Sequence, residues 1–250
     1  MSNPVDMSTS EYAQSFGTEA ERYERFRPGY PAEAIDFVLA GRAVSHILDL
    51  GAGTGKLTRS LIDRAEEVTA VEPDPAMLAV LSAALPSARA LVGGAGEIPL
   101  PDSSVDAVLV GQAFHWFPRP EADRELARVL RPGGVIGLIW NFPDREVEWV
   151  PKIYEATREP QLPWSYRAAD LDESLFTPPQ KAETSSVYEL PGDDALVELA
   201  RTWSWVIAQS PAEQTAVAQR LRILRSQYAD MQGPVFRLPQ RTRAIRQYLR

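Results

Sequence analysis

The sequence predicts an α/β protein on a doubly wound, mostly parallel sheet. Three observations carry that expectation. From about Ile35 to Asn141, short apolar runs alternate with stretches of helical periodicity. The short runs are apolar at consecutive positions, as in "HILDL" (46–50) and "VDAVLVG" (105–111), the mark of strands covered on both faces. The first run passes directly into "GAGTGKLT" (51–58), with glycine at alternate positions 51, 53 and 55. In an open parallel sheet such a turn belongs at a strand's carboxyl end, where ligands bind.

The elements follow in order. The first thirty residues are polar and helix-prone and end at "RFRPGYP", where Pro28 and Pro31 stop a helix. "AEAIDFVLA" (32–40) places apolar residues at helical spacing and ends before Gly41. "HILDL" is the first strand and "KLTRSLIDRA" (56–65) a helix. "VTAVE" (68–72) is the second strand, and "PAMLAVLSAAL" (75–85) a helix opening on proline, the residue favoured at a first helical position. "ARALVG" (88–93) is a weak third strand and "VDAVLVG" the fourth; "EADRELARVL" (121–130) is a helix and "GVIGLIWN" (134–141) the fifth strand. Beyond Asn141 the alternation breaks in a proline- and charge-rich stretch, so residues 142–180 read as a helical cap. "KAETSSVYEL" (181–190) then reads as a strand, residues 193–209 and 212–231 as helices, and "PVFRLPQRTRAIRQYL" (234–249) as a last strand. We take residues 1–250 as one domain with 142–180 inserted.

Composition excludes several functions. The chain of 250 residues carries a formal net charge of −8 and no cysteine, which rules out disulfides and thiolate metal sites. Two histidines, His46 and His115, are too few for most zinc sites, so no metal is expected. An acidic surface repels nucleic-acid phosphates, and the arginines of the last strand read as solvated side chains. No apolar run reaches the ~18–20 residues that span a bilayer. The expectation is a cytoplasmic protein without membrane or nucleic-acid partners.

Glycine costs a regular element about 0.5–1 kcal/mol relative to alanine, so its place in the 51–55 turn needs a reason. Close approach of backbone to a ligand is one. A phosphate-binding P-loop fails, because Leu57 follows Lys56 where Ser or Thr is required. The dinucleotide fingerprint is met at Gly51 and Gly53, but its third glycine falls on Lys56. Glu72 ends the second strand 21 residues after Gly51, where a carboxylate accepts ribose hydroxyls in either nucleotide or nucleoside enzymes.

"LDLGAGTGKLT" resembles the first motif of class I S-adenosylmethionine-dependent methyltransferases. "GEIPLPDSSVDAV" (96–108) and "ELARVLRPGGVIGLIW" (125–140) resemble the stretches around that family's fourth and fifth strands. "RFRPGYP" and "FHWFP" (114–118) are similar to a small-molecule branch that includes the trans-aconitate methyltransferases. The resemblance implies a Rossmann-like sheet of seven mostly parallel strands, the seventh antiparallel. It also implies S-adenosylmethionine as cofactor and a small-molecule acceptor.

It implies roles for individual residues. Asp49 accepts from the cofactor ammonium or from the glycine-turn amides. Gly51, Ala52 and Gly53 lie under the methionine and ribose, and Gly55 serves helix packing. Glu72 binds the ribose, and Pro73 and Met77 wall the adenine. Ala95 and Gly96 offer backbone to the adenine, although "GAGE" (94–97) departs from the family's polar-Ala-Glu pattern. Gly111 and Gln112 border the methionine tail. Residues 1–31 cover the cofactor, with Tyr23 and with Arg27 forking onto its carboxylate. His115 is a general base or orients the acceptor. Trp149, Trp164 and Tyr166 line an acceptor pocket or form the cap's own core. A nicotinamide-dependent oxidoreductase and a non-catalytic scaffold are the alternatives.

Overall fold

A computed structural model describes residues 20–160 and 171–250. The strands form one sheet of seven in the order β3-β2-β1-β4-β5-β7-β6. They are β1 (His46–Leu50), β2 (Glu67–Glu72), β3 (Arg89–Val92), β4 (Val105–Gly111), β5 (Leu130–Pro143), β6 (Gln180–Pro191) and β7 (Val235–Tyr248). The helices are α1 (Ala20–Phe26), α2 (Ala32–Leu39), α3 (Thr58–Leu61), α4 (Pro75–Ala84), α5 (Glu121–Val129), α6 (Val150–Thr157), α7 (Ala195–Ala200), α8 (Ser204–Ile207) and α9 (Pro211–Gln227).

The consecutive apolar runs do what their pattern dictates. All five residues of β1 are buried, and β1 pairs in parallel with β2 on one side and β4 on the other. β3 extends the parallel set beyond β2, and β5 extends it beyond β4. The order of connection reverses at β1, so the carboxyl ends of β1 and β4 form the switch point of the sheet. β7 runs antiparallel to β5: Leu249 N–H donates to Gly134 O, while Thr242 Oγ1 donates to Asn141 Oδ1. This is the seven-stranded, mostly parallel sheet with an antiparallel last strand that the resemblance implies.

Three elements differ from the sequence expectation, the first being the helix expected over residues 193–209, which is broken at residues 201–203 into α7 and α8. β5 starts at Leu130, four residues before "GVIGLIWN". The "RPGG" segment stays in the strand as a bulge, because Val105 pairs with Leu130 and Ala107 already with Val135. Gly133 at φ +71 absorbs the extra residues. The helix expected over 56–65 is helical only over 58–61, then tightens to a 3-10 turn at Ile62–Arg64. The glycine turn holds the chain out of helix until Leu57, and Ala65 at φ −148 ends it.

The described chain divides into two compact units. The sheet unit comprises residues 28–142, 171–186 and 240–250. Its core fills both faces of the parallel strands: Leu48, Val108, Ile136 and Phe176 belong to one cluster, and Ile47, Leu109, Ile139 and Val38 to another. The helical unit comprises residues 20–27, 143–160 and 187–239. It has its own core, in which α6, α7, α8 and α9 contribute Ile153, Leu196, Val206 and Leu221. Its longest helix buries Val217, Ala218, Leu221 and Leu224, one stripe of a 3.6-residue repeat, and starts on Ser210, whose hydroxyl caps Glu213 N–H.

Candidate active site

The site is built at the switch point. β1 delivers Asp49 and Leu50 to the carboxyl edge, and the chain then turns through Gly51, Gly53 and Gly55 at φ +72, +57 and +91. That left-handed run answers why glycine recurs there. The three positions are otherwise unlike. A Cβ on Gly51 would lie 2.6 Å from Ala113 Cβ, and one on Gly55 would lie 2.9 Å from Leu85 Cδ1 and 3.0 Å from Leu81 Cγ. Gly55 therefore packs the turn against α4 and its end. A Cβ on Gly53 would meet nothing nearer than Met77 Sδ at 3.7 Å. Gly53 faces space; its neighbours bind backbone.

The turn is tied to β2. Gly51 and Ala52 N–H both donate to Val71 O, and Gly53 N–H donates to Glu72 Oε2 at 2.8 Å. Asp74 N–H donates to Glu72 Oε1 at 3.0 Å. Each carboxylate oxygen of Glu72 thus holds one amide and keeps a lone-pair direction for another donor. Burial raises the Glu72 pKa, and the amides of Asp74 and Gly53 pull it back. Pro73 is exposed beside it, and Asp74 caps α4 by accepting from Ala76 N–H at 2.8 Å. Met77 is buried in the first turn of that helix.

Asp49 is fully buried. Its Oδ2 accepts from Thr58 Oγ1 at 2.6 Å, and its Oδ1 has no hydrogen-bond partner among the described residues. Burial lifts its pKa to about 7, against the pull of the Thr58 hydroxyl and with a push from the Glu72 charge. Such an oxygen without a donor costs ~1–3 kcal/mol. The amides of Gly51 and Ala52 donate to Val71 O and that of Gly53 to Glu72, while the backbone amide of Thr58 joins its hydroxyl in acting on Asp49.

β4 supplies the facing wall. Gly111 lies under Tyr30, whose Oη and Cζ stand 2.5 and 2.7 Å from where a Gly111 Cβ would be. Gln112 takes φ +57, donates its N–H to Ile139 O and its Nε2 to Asn141 O at 2.6 Å. Buried Asn141 donates Nδ2 to Gly29 O at 2.8 Å and accepts from Thr242 Oγ1 at 2.5 Å. One amide thereby fixes the "RPGYP" segment, β5 and β7 to each other. His115 follows on a 3-10 turn, Phe114–Trp116, half-buried with its ring centroid 4.5 Å from that of Trp116.

The "GAGE" segment forms a tight turn, Glu97 N–H donating to Gly94 O. Ala95 is committed to the core of the sheet unit, which leaves its backbone alone for recognition, and Gly96 is exposed. His46, to which no role was given, is a satisfied buried histidine. Its Nδ1 donates to Ser104 O, which can only accept, and its Nε2 lies 2.8 Å from Thr69 Oγ1.

Asp49, Gly51, Ala52, Gly53, Glu72, Pro73, Ala95, Gly96, Gly111, Gln112 and His115 all belong to the sheet unit. Tyr23 and Arg27 belong to the helical unit. There Arg27 donates Nη2 to Thr202 O at 2.9 Å, and its guanidinium stands 5.2 Å from the Tyr23 ring centre. Trp149 is a core residue of the helical unit, its ring 5.8 Å from that of Phe236. Trp164, Tyr166 and residues 1–19 lie outside the described residues. The arginines of β7 are paired in part: Arg237 with Glu189 and Arg243 with Glu183. Among the described residues no acidic or histidine cluster suits a metal, and no helix is long and apolar enough to cross a membrane.

Three participants were missed from sequence. Thr58 is nine residues from Asp49, and only the turn brings them together. Tyr30 sits inside the "RFRPGYP" motif whose earlier residues drew attention instead. The Asn141–Thr242 bond joins residues 101 apart.

A buried acid, a left-handed glycine turn and a strand-end carboxylate meet at the switch point, where open α/β sheets bind their ligands. Comparison with known proteins gives the family. A methyltransferase-domain family matches residues 48–138. An uncharacterized methyltransferase of Mycobacterium tuberculosis is 45% identical over 217 residues, covering 87% of this chain and 88% of its own. One from Schizosaccharomyces pombe is 38% identical over 71% of this chain and 77% of its own. Among solved structures, one described as a type II methyltransferase of Anaeromyxobacter dehalogenans superposes with a TM-score of 0.68 at 25% identity, covering 89% of this chain and 97% of that one. The chain belongs to the methyltransferase family, among the class I S-adenosylmethionine-dependent enzymes.

Proposed function

We propose that this chain binds S-adenosylmethionine at the switch point of its sheet and methylates a small molecule. The observation that carries the cofactor assignment is the pair of unmet features in the turn. Asp49 Oδ1 is buried without a donor, and the Cα of Gly53 faces space. An α-ammonium supplies the missing donor, and an adenosyl group approaching bare backbone uses that space. Glu72 holds the turn through one lone pair on each oxygen and offers the others to the two ribose hydroxyls. Gly51 and Ala52 keep the backbone flat against the ligand, Pro73 and Met77 wall the adenine, and Ala95 and Gly96 present main chain to its edge. Gly111 and Gln112 border the amino-acid end; for Tyr23 and Arg27, which belong to the helical unit, a cofactor role rests on the family resemblance alone.

When bound, the cofactor supplies an electrophilic methyl group on a sulfonium. The protein's task is then to hold an acceptor in line with it, and positioning alone supplies much of such an acceleration. His115, at the carboxyl end of β4, takes the proton from a hydroxyl or carbon-acid acceptor on a ring nitrogen. The small-molecule assignment is supported by the "RFRPGYP" and "FHWFP" motifs.

Calorimetric titration with S-adenosylhomocysteine and with NADH tests the cofactor. Heat with the first alone is expected, and heat with NADH alone refutes the assignment. A metabolite-extract screen with methyl-labelled donor then reads out the acceptor. Label appearing only in protein would refute the small-molecule reading.

A further inference from the structure

We propose that Thr58 is a positioning residue for the cofactor's amino group: its hydroxyl holds Asp49 Oδ2, so that Oδ1 stays ionised and free to accept the ammonium. The inference rests on the S-adenosylmethionine assignment above. Its geometry is specific. Asp49 and Thr58 are both wholly buried, and their 2.6 Å bond is short even for a hydroxyl on a carboxylate. A buried carboxylate whose donors both come from Thr58, with one oxygen bare among the described residues, is poorly stabilised as an anion.

The surroundings offer Asp49 little else. On the flanking strands its register partners are Ala70 and Leu109, both apolar. The charged group acting on it from β2 is Glu72, which opposes ionisation. Nothing on those strands compensates the negative charge, so the donor at the start of α3 and the incoming cation carry that burden together. Thr58 therefore acts through Asp49, without touching the ligand. Removing its hydroxyl leaves the carboxylate only the backbone amide of Thr58 and shifts Asp49 toward its neutral form, which pairs poorly with an ammonium. With its hydroxyl present, the carboxyl sits at about 7, so the effect falls in an accessible pH range.

The test compares two probes with the full-length chain. S-adenosylhomocysteine carries the ammonium; 5′-methylthioadenosine has the same adenosyl thioether without the amino-acid end. Thr58→Val keeps the shape and removes the donor. It should weaken S-adenosylhomocysteine about tenfold at pH 7, the loss of roughly one hydrogen bond to a charged group, and leave methylthioadenosine unchanged. The sign with pH is fixed: the deficit narrows as pH rises from 6 to 8, because the variant's Asp49 ionises later than the wild type's. Thr58→Ser restores wild-type binding.

An unchanged ratio of the two affinities in Thr58→Val, a loss shared equally by both probes, or a failure of Thr58→Ser to restore binding would each overturn the role. The wild-type chain supplies a test that needs no variant: its preference for S-adenosylhomocysteine over methylthioadenosine should rise between pH 6 and 8, and a flat preference overturns the inference. Wild-type protein that binds neither probe defeats the cofactor assignment itself. Wild-type protein that binds both, beside an indifferent Thr58→Val, defeats only the inference.

Discussion

Gly53→Ala and Gly55→Ala separate the two reasons for glycine in the turn. Both residues have positive φ, +57 and +91, which costs an L-residue about 1–2 kcal/mol. At Gly53 the new methyl meets only Met77 Sδ at 3.7 Å, an ordinary contact, so the conformational cost stands alone. At Gly55 the methyl falls 2.9 Å from Leu85 Cδ1 and 3.0 Å from Leu81 Cγ, and both leucines are buried. Overpacking adds about 1–3 kcal/mol, for a total near 2–5 kcal/mol. Urea denaturation gives these values from the midpoint at constant slope. Calorimetry with S-adenosylhomocysteine gives the second reading, and the order reverses. Gly53→Ala puts a methyl where the ligand approaches and loses more than tenfold in affinity. Gly55→Ala retains binding while folded. Equal destabilisation by the two, or a Gly53→Ala chain that binds like wild type, refutes this division of labour.

Other outcomes follow from the same contacts. Glu72→Ala weakens S-adenosylhomocysteine by about 1–3 kcal/mol, and calorimetry showing unchanged affinity removes the ribose role. His115→Ala lowers turnover of the identified acceptor about 10²–10⁴-fold if it takes the proton, whereas a loss confined to KM reduces it to orienting the acceptor. Asn141→Leu leaves the buried Thr242 hydroxyl unsatisfied and unties Gly29 O, and destabilises by roughly 1–3 kcal/mol in urea. Asp106 at the opposite edge of the sheet is partly buried, which works to raise its pKa. The amides of His46 and Ser45, the Ser45 hydroxyl and Arg131 outweigh burial and hold it well below the usual range. Its contribution is present above the unfolded carboxyl pKa of about 3.9 and drains away as pH falls below that toward the depressed value. Acid unfolding of Asp106→Asn should therefore be shallower between about pH 4 and 2, as followed by circular dichroism.

Much of the fold was legible because the informative signals are local. Five consecutive buried residues in β1 and an Asp-Pro helix start at α4 are written in adjacent letters. The glycine spacing likewise announced a turn at the carboxyl end of β1. What escaped depends on residues far apart in sequence. The bulge that keeps "RPGG" within β5 is set by register against β4. The helices at 195–227 share a core with α6 across an intervening strand, which periodicity does not reveal. In the site, the acid, the turn and Glu72 could be named from sequence. Their bonds could not: Gly53 donating to Glu72 and Thr58 to Asp49 require the turn to be folded first. Motif neighbours also drew attention to Tyr23 and Arg27, whereas Tyr30 is the residue that covers Gly111.

The most direct measurement is an experimental structure of the full chain with S-adenosylhomocysteine. The account predicts adenosyl ribose on the free lone pairs of Glu72, the thioether against the backbone of Gly51 and Gly53, and the ammonium within hydrogen-bond reach of Asp49 Oδ1. A ligand seated elsewhere, with Gly53 facing solvent and Asp49 Oδ1 still without a donor, would contradict it.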